Sequence, residues 1–138
     1  MRLPELGPDV AIRIVQLGSP RQRSEGPRIG TVRRPPRGVK RADYSRKNFF
    51  DLWLPELAPS IPLLAWARAL PLSDTRWAMF ARRYRREMAQ PGARRLIELL
   101  SFLSRHSNFS VGCFCPDESH CHRSILRELL AEAGATLA

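Results

Sequence analysis

All three cysteines of this 138-residue chain, and two of its three histidines, lie between Val111 and Ser124. The order is Cys113-Phe114-Cys115, then Pro116-Asp117-Glu118-Ser119, then His120-Cys121-His122-Arg123-Ser124. Thiols and imidazoles this close together support three kinds of chemistry. In the first, the loop binds a phosphate or carboxylate, with Cys121 as a candidate nucleophile of lowered pKa and His122 as its acid or base. In the second, Cys113, Cys115 and Cys121 with one histidine hold zinc; the ligand types fit, although C-x-C-x5-C is not a usual spacing for a structural zinc site. In the third, the cysteines are small buried hydrophobes and the histidines make only local hydrogen bonds.

The surrounding pattern favours the first. Residues 109–115 read as a buried strand, which points Cys113 and Cys115 to the same face. Ser119 is placed to cap the last helix, with His120, Cys121, His122 and Arg123 in its first turn. Unpaired N–H groups and the positive end of the helix dipole there favour an anion or a thiolate, and Arg123, Ser124 and His120 add donors. Neighbouring residues on a helix diverge, so His120, Cys121 and His122 reach one ion together only if that turn is irregular. No cofactor is therefore expected, zinc being the alternative.

The elements that must position this window alternate between strand and helix. Residues 1–10 read as a loose arm and 11–138 as one domain. Residues 11–17 and 29–32 are strand candidates, separated by a Ser, Gly, Pro and Arg loop over 18–27. Arg33-Arg34-Pro35-Pro36-Arg37-Gly38 is a stiff extended turn, because paired prolines forbid helix and central strand alike. The segment from there to Ser60 reads as an ordered loop held down by Tyr44, Phe49, Phe50 and Trp53. A helix over 61–69 is capped by Ser60 and tolerates Pro62 in its first turn. Ser73 or Asp74 caps a longer helix with Trp77, Phe80, Tyr84 and Met88 on one stripe. A third, over 93–105, is expected to turn Leu96, Leu99, Leu100 and Leu103 inward. The last, over 124–133, buries Ile125, Leu126, Leu129 and Leu130 and ends at Gly134. The resulting expectation is a single three-layer α/β domain, with a small, mostly parallel sheet flanked by helices.

The formal charge of +10 and a pI near 11.1 are large for this length. They suit a polyanion partner or anion steering, but the basic residues are almost all arginine, which GC-rich coding produces without any ligand. Ten of them fall between Arg21 and Lys47, against two acids. A basic nucleic-acid-binding module without catalysis, using that region and Arg82 to Arg86 on phosphates, is thus the first alternative, and a zinc-stabilised interaction protein the second. No apolar run is long enough for a signal peptide or a membrane span, and three cysteines without an export signal fit a reducing compartment. A soluble cytoplasmic protein without a membrane partner is expected.

These motifs together resemble the family catalogued as domain of unknown function 488. Its C-terminal signature, a cysteine on an apolar strand and then Cys-His-Arg after a short acidic loop, is similar to Cys113 and Cys121-His122-Arg123. Its N-terminal Arg-x-x-Pro-Arg-Gly turn is similar to Arg33 to Gly38. Trp53 with Ala58-Pro59-Ser60, and Phe80 with Tyr84 and Glu87, resemble its short single-domain bacterial branch. The resemblance implies an α/β fold and no established activity. Many members place a glutamate two residues after the first cysteine; Cys115 stands there here, which leaves any acid–base role of that glutamate to Asp117 or Glu118. Both signatures follow strands. If the strands are parallel, Arg33, Arg37, Gly38 and Arg123 converge with Ser124 and His120 on one crevice that takes a small anionic ligand or a nucleic-acid phosphate.

Overall fold

The structure is a computed structural model and describes residues 10–138. The arm expected over 1–10 lies, apart from Val10, outside the described residues. Four strands form one sheet: β1 (Ile12–Gln16), β2 (Arg28–Gly30), β3 (Leu52–Trp53) and β4 (Phe109–Cys113). Their spatial order is β1-β4-β2-β3 and every pairing is parallel. Ile12 stands opposite Phe109 and Gln16 opposite Cys113, while Gly30 of β2 stands opposite Gly112. β4 is buried along its whole length, as a central parallel strand must be. β2 ends two residues sooner than the apolar pattern suggested, and β4 stops at Cys113, leaving Cys115 beyond the sheet. β3 lies within the stretch expected to be loop.

Phe109 and Val111 share one face with Ile12 and Ile29, and all four helices pack there. In α1 (Ile61–Ala69) the Ser60 hydroxyl accepts the Leu63 N–H at 3.2 Å, and in α2 (Asp74–Met88) Ser73 does the same for Arg76. Glu87 of α2 in turn grips Ser60 through its N–H at 2.8 Å and its hydroxyl at 2.5 Å. α2 buries Phe80, Tyr84 and Met88, and the Tyr84 hydroxyl donates to the Leu57 carbonyl at 2.7 Å. The paired family motifs at 58–60 and 80–87 are therefore in contact.

In α3 (Pro91–Leu103) the inward face is Ala93, Ile97, Leu100 and Ser101. This corrects the expected leucine stripe: Leu99 and Leu103 are 50% and 37% exposed, and Leu96 is only half-buried. The cause is polar as well as apolar. Ser101 donates to the Leu130 carbonyl of α4 (His122–Glu132), and Ser104 accepts the Thr136 N–H, so the serine-bearing side of α3 must face α4. Beyond α4, Gly134 turns the chain back along β1, where the Ile12 N–H donates to Thr136 and the Ala138 N–H to the Ile12 carbonyl, both at 2.9 Å.

The other face of the sheet carries Ser110, Gly112 and Gly30, and the third layer is the 17–51 segment. A side chain at Gly30 would place its Cβ 2.4 Å from the Phe50 ring, so glycine is what lets this layer close. Arg28 anchors it. The guanidinium, wholly buried, pairs with Glu25 and donates to the Ser19 carbonyl at 2.8 Å and the Asn48 carbonyl at 2.6 Å. Among the described residues no helix is long and apolar enough to cross a membrane.

Candidate functional site

The C-terminal ends of β4 and β2 open onto one cavity of about 570 Å3. The Arg33 to Arg37 turn forms one wall and the start of α1 another; Cys113, Cys115 and His122 reach the lining, with Phe49 and Phe114 beside them. Of the residues expected on one crevice, Arg33 and Arg37 line it, whereas Gly38, His120, Arg123 and Ser124 do not. Arg34 of the same turn also lines it, as does Arg68, which the sequence does not single out. Arg68 looked like an ordinary exposed residue near the end of a helix, and only the packing of α1 against the turn brings it here.

The candidate residues divide sharply by environment. Arg37 is exposed on the rim, and Gly38 follows it at φ +71 with open space around it. Arg33 is half-buried and engaged: its Nε and Nη2 each donate at 3.1 Å, to the Pro59 and Ala58 carbonyls. Arg123 is 4% exposed; its Nη2 donates to the Cys115 carbonyl at 2.5 Å, and its Nε has no protein partner. Ser124 donates to the Cys121 carbonyl at 2.9 Å. His120 lies apart, edge-on to Trp77 at 5.4 Å and 3.5 Å from Asp117.

The local course of the chain differs from expectation in one consequential way. Asp117, not Ser119, is the cap, and it caps only a short 3-10 turn over Glu118–His120. The backbone is then extended at Cys121, φ −120 and ψ 147, and α4 begins at His122. Cys121 is therefore the residue preceding the helix, and His120 is outside it altogether. Asp117 and Glu118, the acids nearest Cys115, are turned to local partners: Asp117 accepts from Ser119 and Glu118 pairs with Arg127 at 2.7 Å.

That break brings three ligand-type atoms together. The sulfurs of Cys113 and Cys121 and a ring nitrogen of His122 lie within 4.8 Å of one another, all three residues being buried. His122 Nε2 is 2.7 Å from the Thr31 carbonyl oxygen and 3.3 Å from the Thr31 hydroxyl. A carbonyl only accepts, so Nε2 carries the hydrogen, leaving the Nδ1 lone pair 3.8 Å from Cys121 Sγ. Burial pushes this imidazole down to about 4, against the opposing pull of the Thr31 hydrogen bond, so it is neutral at physiological pH. The neighbouring Cys113 and Cys121 thiols hold the exposed Cys115 thiol far below its ordinary value, with help from the charge of Arg123. Donation to Cys115 pushes Cys113 up to about 11, and interaction with both other thiols, then burial, drives Cys121 up as well.

A parallel α/β sheet with a thiol–imidazole cluster and an arginine turn at its C-terminal edge defines the class of this protein. A family model described as the active DUF488-N3 subclade, DUF488-N3a, matches residues 12–134. The chain belongs to the DUF488 family, as its motifs had suggested. Neither the curated proteins nor the solved structures gave a match to it.

Proposed function

We propose that the chain binds a small phosphate- or carboxylate-bearing molecule in the cavity between the Arg33 to Arg37 turn and the end of β4. The observation that carries this reading is the concentration of Arg34, Arg37 and Arg68 around a concave, partly apolar site where Phe49 and Phe114 offer ring surface. Guanidinium groups on a low-dielectric wall attract anions more strongly than the same groups on an open surface. Arg33 and Arg123 act from behind, since their donors already hold carbonyls of the wall. Cys121 lies off the lining and His122 reaches it with its Nε2 hydrogen committed to Thr31, which favours binding over a thiol-transfer role for that pair. The word "active" in the subclade description is in keeping with a retained site.

The nucleic-acid alternative is weakened by where the arginines go. Arg85 pairs with Glu128 and Glu132, Arg83 lies over the Trp66 ring, and Arg21 and Arg46 pair with Asp51 and Asp43. Among the described residues Arg23, Lys40, Arg41, Lys47, Arg82 and Arg86 make no ion pair, so these contacts thin the two basic clusters without emptying them. Titration with inorganic phosphate and with a panel of small carboxylates, followed by amide chemical shifts, tests the proposal. Saturable shifts at residues 32–37 and 113–115, lost in the Arg37→Ala/Arg68→Ala variant, support it. Absence of any such shift, together with DNA or RNA binding that collapses steeply with salt, would replace it by the nucleic-acid reading.

A further inference from the structure

We infer that Cys113, Cys121 and His122 hold a zinc ion, and that Cys115, which lies outside this three-residue cluster on the cavity side, swings in as the fourth ligand. This goes beyond the anion-binding reading and does not depend on it. Zinc–sulfur and zinc–nitrogen lengths of about 2.3 and 2.0 Å put tetrahedral ligand atoms roughly 3.5–3.8 Å apart. The Cys121 sulfur and His122 Nδ1 are already 3.8 Å apart, and all three buried ligand atoms lie within 4.8 Å of one another. For these three residues, closing onto an ion therefore needs only small side-chain shifts.

Backbone geometry makes the set possible. Cys113 ends the central strand, whose neighbours on both sides fix it. Cys121 and His122 are adjacent in sequence, and on a regular helix their side chains would diverge. The extended backbone at Cys121 removes it from the helix, and both side chains turn toward Cys113. His120, on the far side of the same break, is directed to Trp77 and takes no part.

A second, independent observation points to a metal. Imidazoles that bind metal almost always donate their other ring N–H to a carbonyl, carboxylate or water, which fixes tautomer and ring plane. His122 has that arrangement with the Thr31 carbonyl, and the Thr31 hydroxyl is itself held by the Gly112 carbonyl at 3.0 Å. Soft thiolate donors with one imidazole select zinc over magnesium or calcium. On binding, each coordinating thiol releases its proton to solvent, and no electron is transferred. Three thiolates and a neutral imidazole leave the zinc site with one net negative charge. The buried Arg123, bonded to the Cys115 carbonyl, supplies the matching positive charge.

The test is metal analysis of the purified full-length chain from zinc-supplemented medium, then chelation and titration of the apo protein with Co2+. One zinc per chain is expected, and Co2+ should give thiolate charge-transfer absorption with the visible bands of a tetrahedral site. Cys113→Ser should lower bound zinc at least tenfold, whereas His120→Gln should keep it in full. Less than a tenth of a zinc per chain together with no thiolate band overturns the inference, as does loss of zinc from His120→Gln equal to that from Cys113→Ser. If Cys113→Ser does not fold, the Co2+ spectrum of the wild-type chain decides alone. Because the phosphate titration can be run on the apo protein, failure of zinc binding and failure of anion binding are separate results.

Discussion

Arg28 and Glu25 bury a guanidinium and a carboxylate against each other on the face of the sheet that the helices do not cover, with side chains 1% and 2% exposed. The guanidinium also holds the Ser19 and Asn48 carbonyls, so the pair joins three parts of one loop layer to β2. Arg28→Met leaves the carboxylate buried without its partner and should cost about 3–5 kcal/mol. Replacing both residues by apolar ones should recover only part of this, because the Ser19, Pro20 and Asn48 carbonyls lose their donor. Urea unfolding midpoints of the single and double variants measure the difference.

Acid should destabilise the chain through the same pair. Burial alone would raise the Glu25 carboxyl, but hydrogen bonds from Arg28 and the Gln22 N–H, with the charges of Arg28 and Arg21, outweigh it and hold the carboxyl below its ordinary value. Asp51 is lowered in the same manner, burial being overcome by Arg21, Ser45 and the Arg28 N–H. Folded values below unfolded ones mean the stabilisation is complete above the unfolded carboxylate range, near pH 4. It is lost as pH falls through the folded values. Stability measured from pH 7 down to pH 3 should drop below about pH 4.5, and Glu25→Gln should lower it at neutral pH and flatten the fall.

Arg33 and Arg37 should separate structure from binding. Arg33→Ala removes two charge-assisted bonds to the Pro59 and Ala58 carbonyls and should cost about 1–3 kcal/mol. Arg37→Ala, exposed and on the rim, should change stability by no more than about 0.5 kcal/mol while weakening phosphate binding. Thermal melts with and without phosphate read both effects. Equal loss of stability in the two variants would contradict the assignment.

Gly26 and Gly38 share a left-handed backbone, φ +70 and +71, yet differ in their surroundings. A Cβ at Gly26 would lie 2.1 Å from the Asn108 carbonyl oxygen, whereas one at Gly38 meets nothing within 4 Å. Gly38→Ala should cost only about 1 kcal/mol, the intrinsic penalty of that conformation. Gly26→Ala should cost about 3 kcal/mol or more, since backbone must move as well.

The thiols should differ in access. In apo protein treated with a chelator, iodoacetamide should modify Cys115 first, because Cys113 and Cys121 are 7% and 2% exposed. Mass spectrometry should show one adduct under native conditions and three in denaturant. Early modification of Cys121 would place it on the cavity lining after all.

Much of this architecture was legible from the sequence, and the failures have physical causes. Ser60 and Ser73 marked helix starts because a hydroxyl before an apolar stripe has one strong use. The parallel α/β arrangement followed from the order of elements, and the meeting of the two arginine-rich and cysteine-rich signatures followed from that arrangement. Leu99 and Leu103 misled because hydropathy does not reveal that Ser101 and Ser104 bond inward. β3 is two residues long and shows no alternation to read. Arg28 and Glu25 lie in a segment of dense charge, where nothing distinguishes a buried pair from solvated neighbours. The sequence reads as a helix running through Cys121, which hides the thiol–imidazole cluster; the extended backbone at Cys121 is what turns its side chain and that of His122 toward Cys113.

The return of the chain along β1 bears on solubility. A parallel sheet ends in two rows of free amide and carbonyl groups, and these are templates for joining another molecule's strand. Here one row is occupied at Ile12 by Thr136 and Ala138, and the opposite border, β3, offers only two residues. The return thus covers the start of the β1 edge, and removing residues 136–138 should make the chain aggregate more readily on heating.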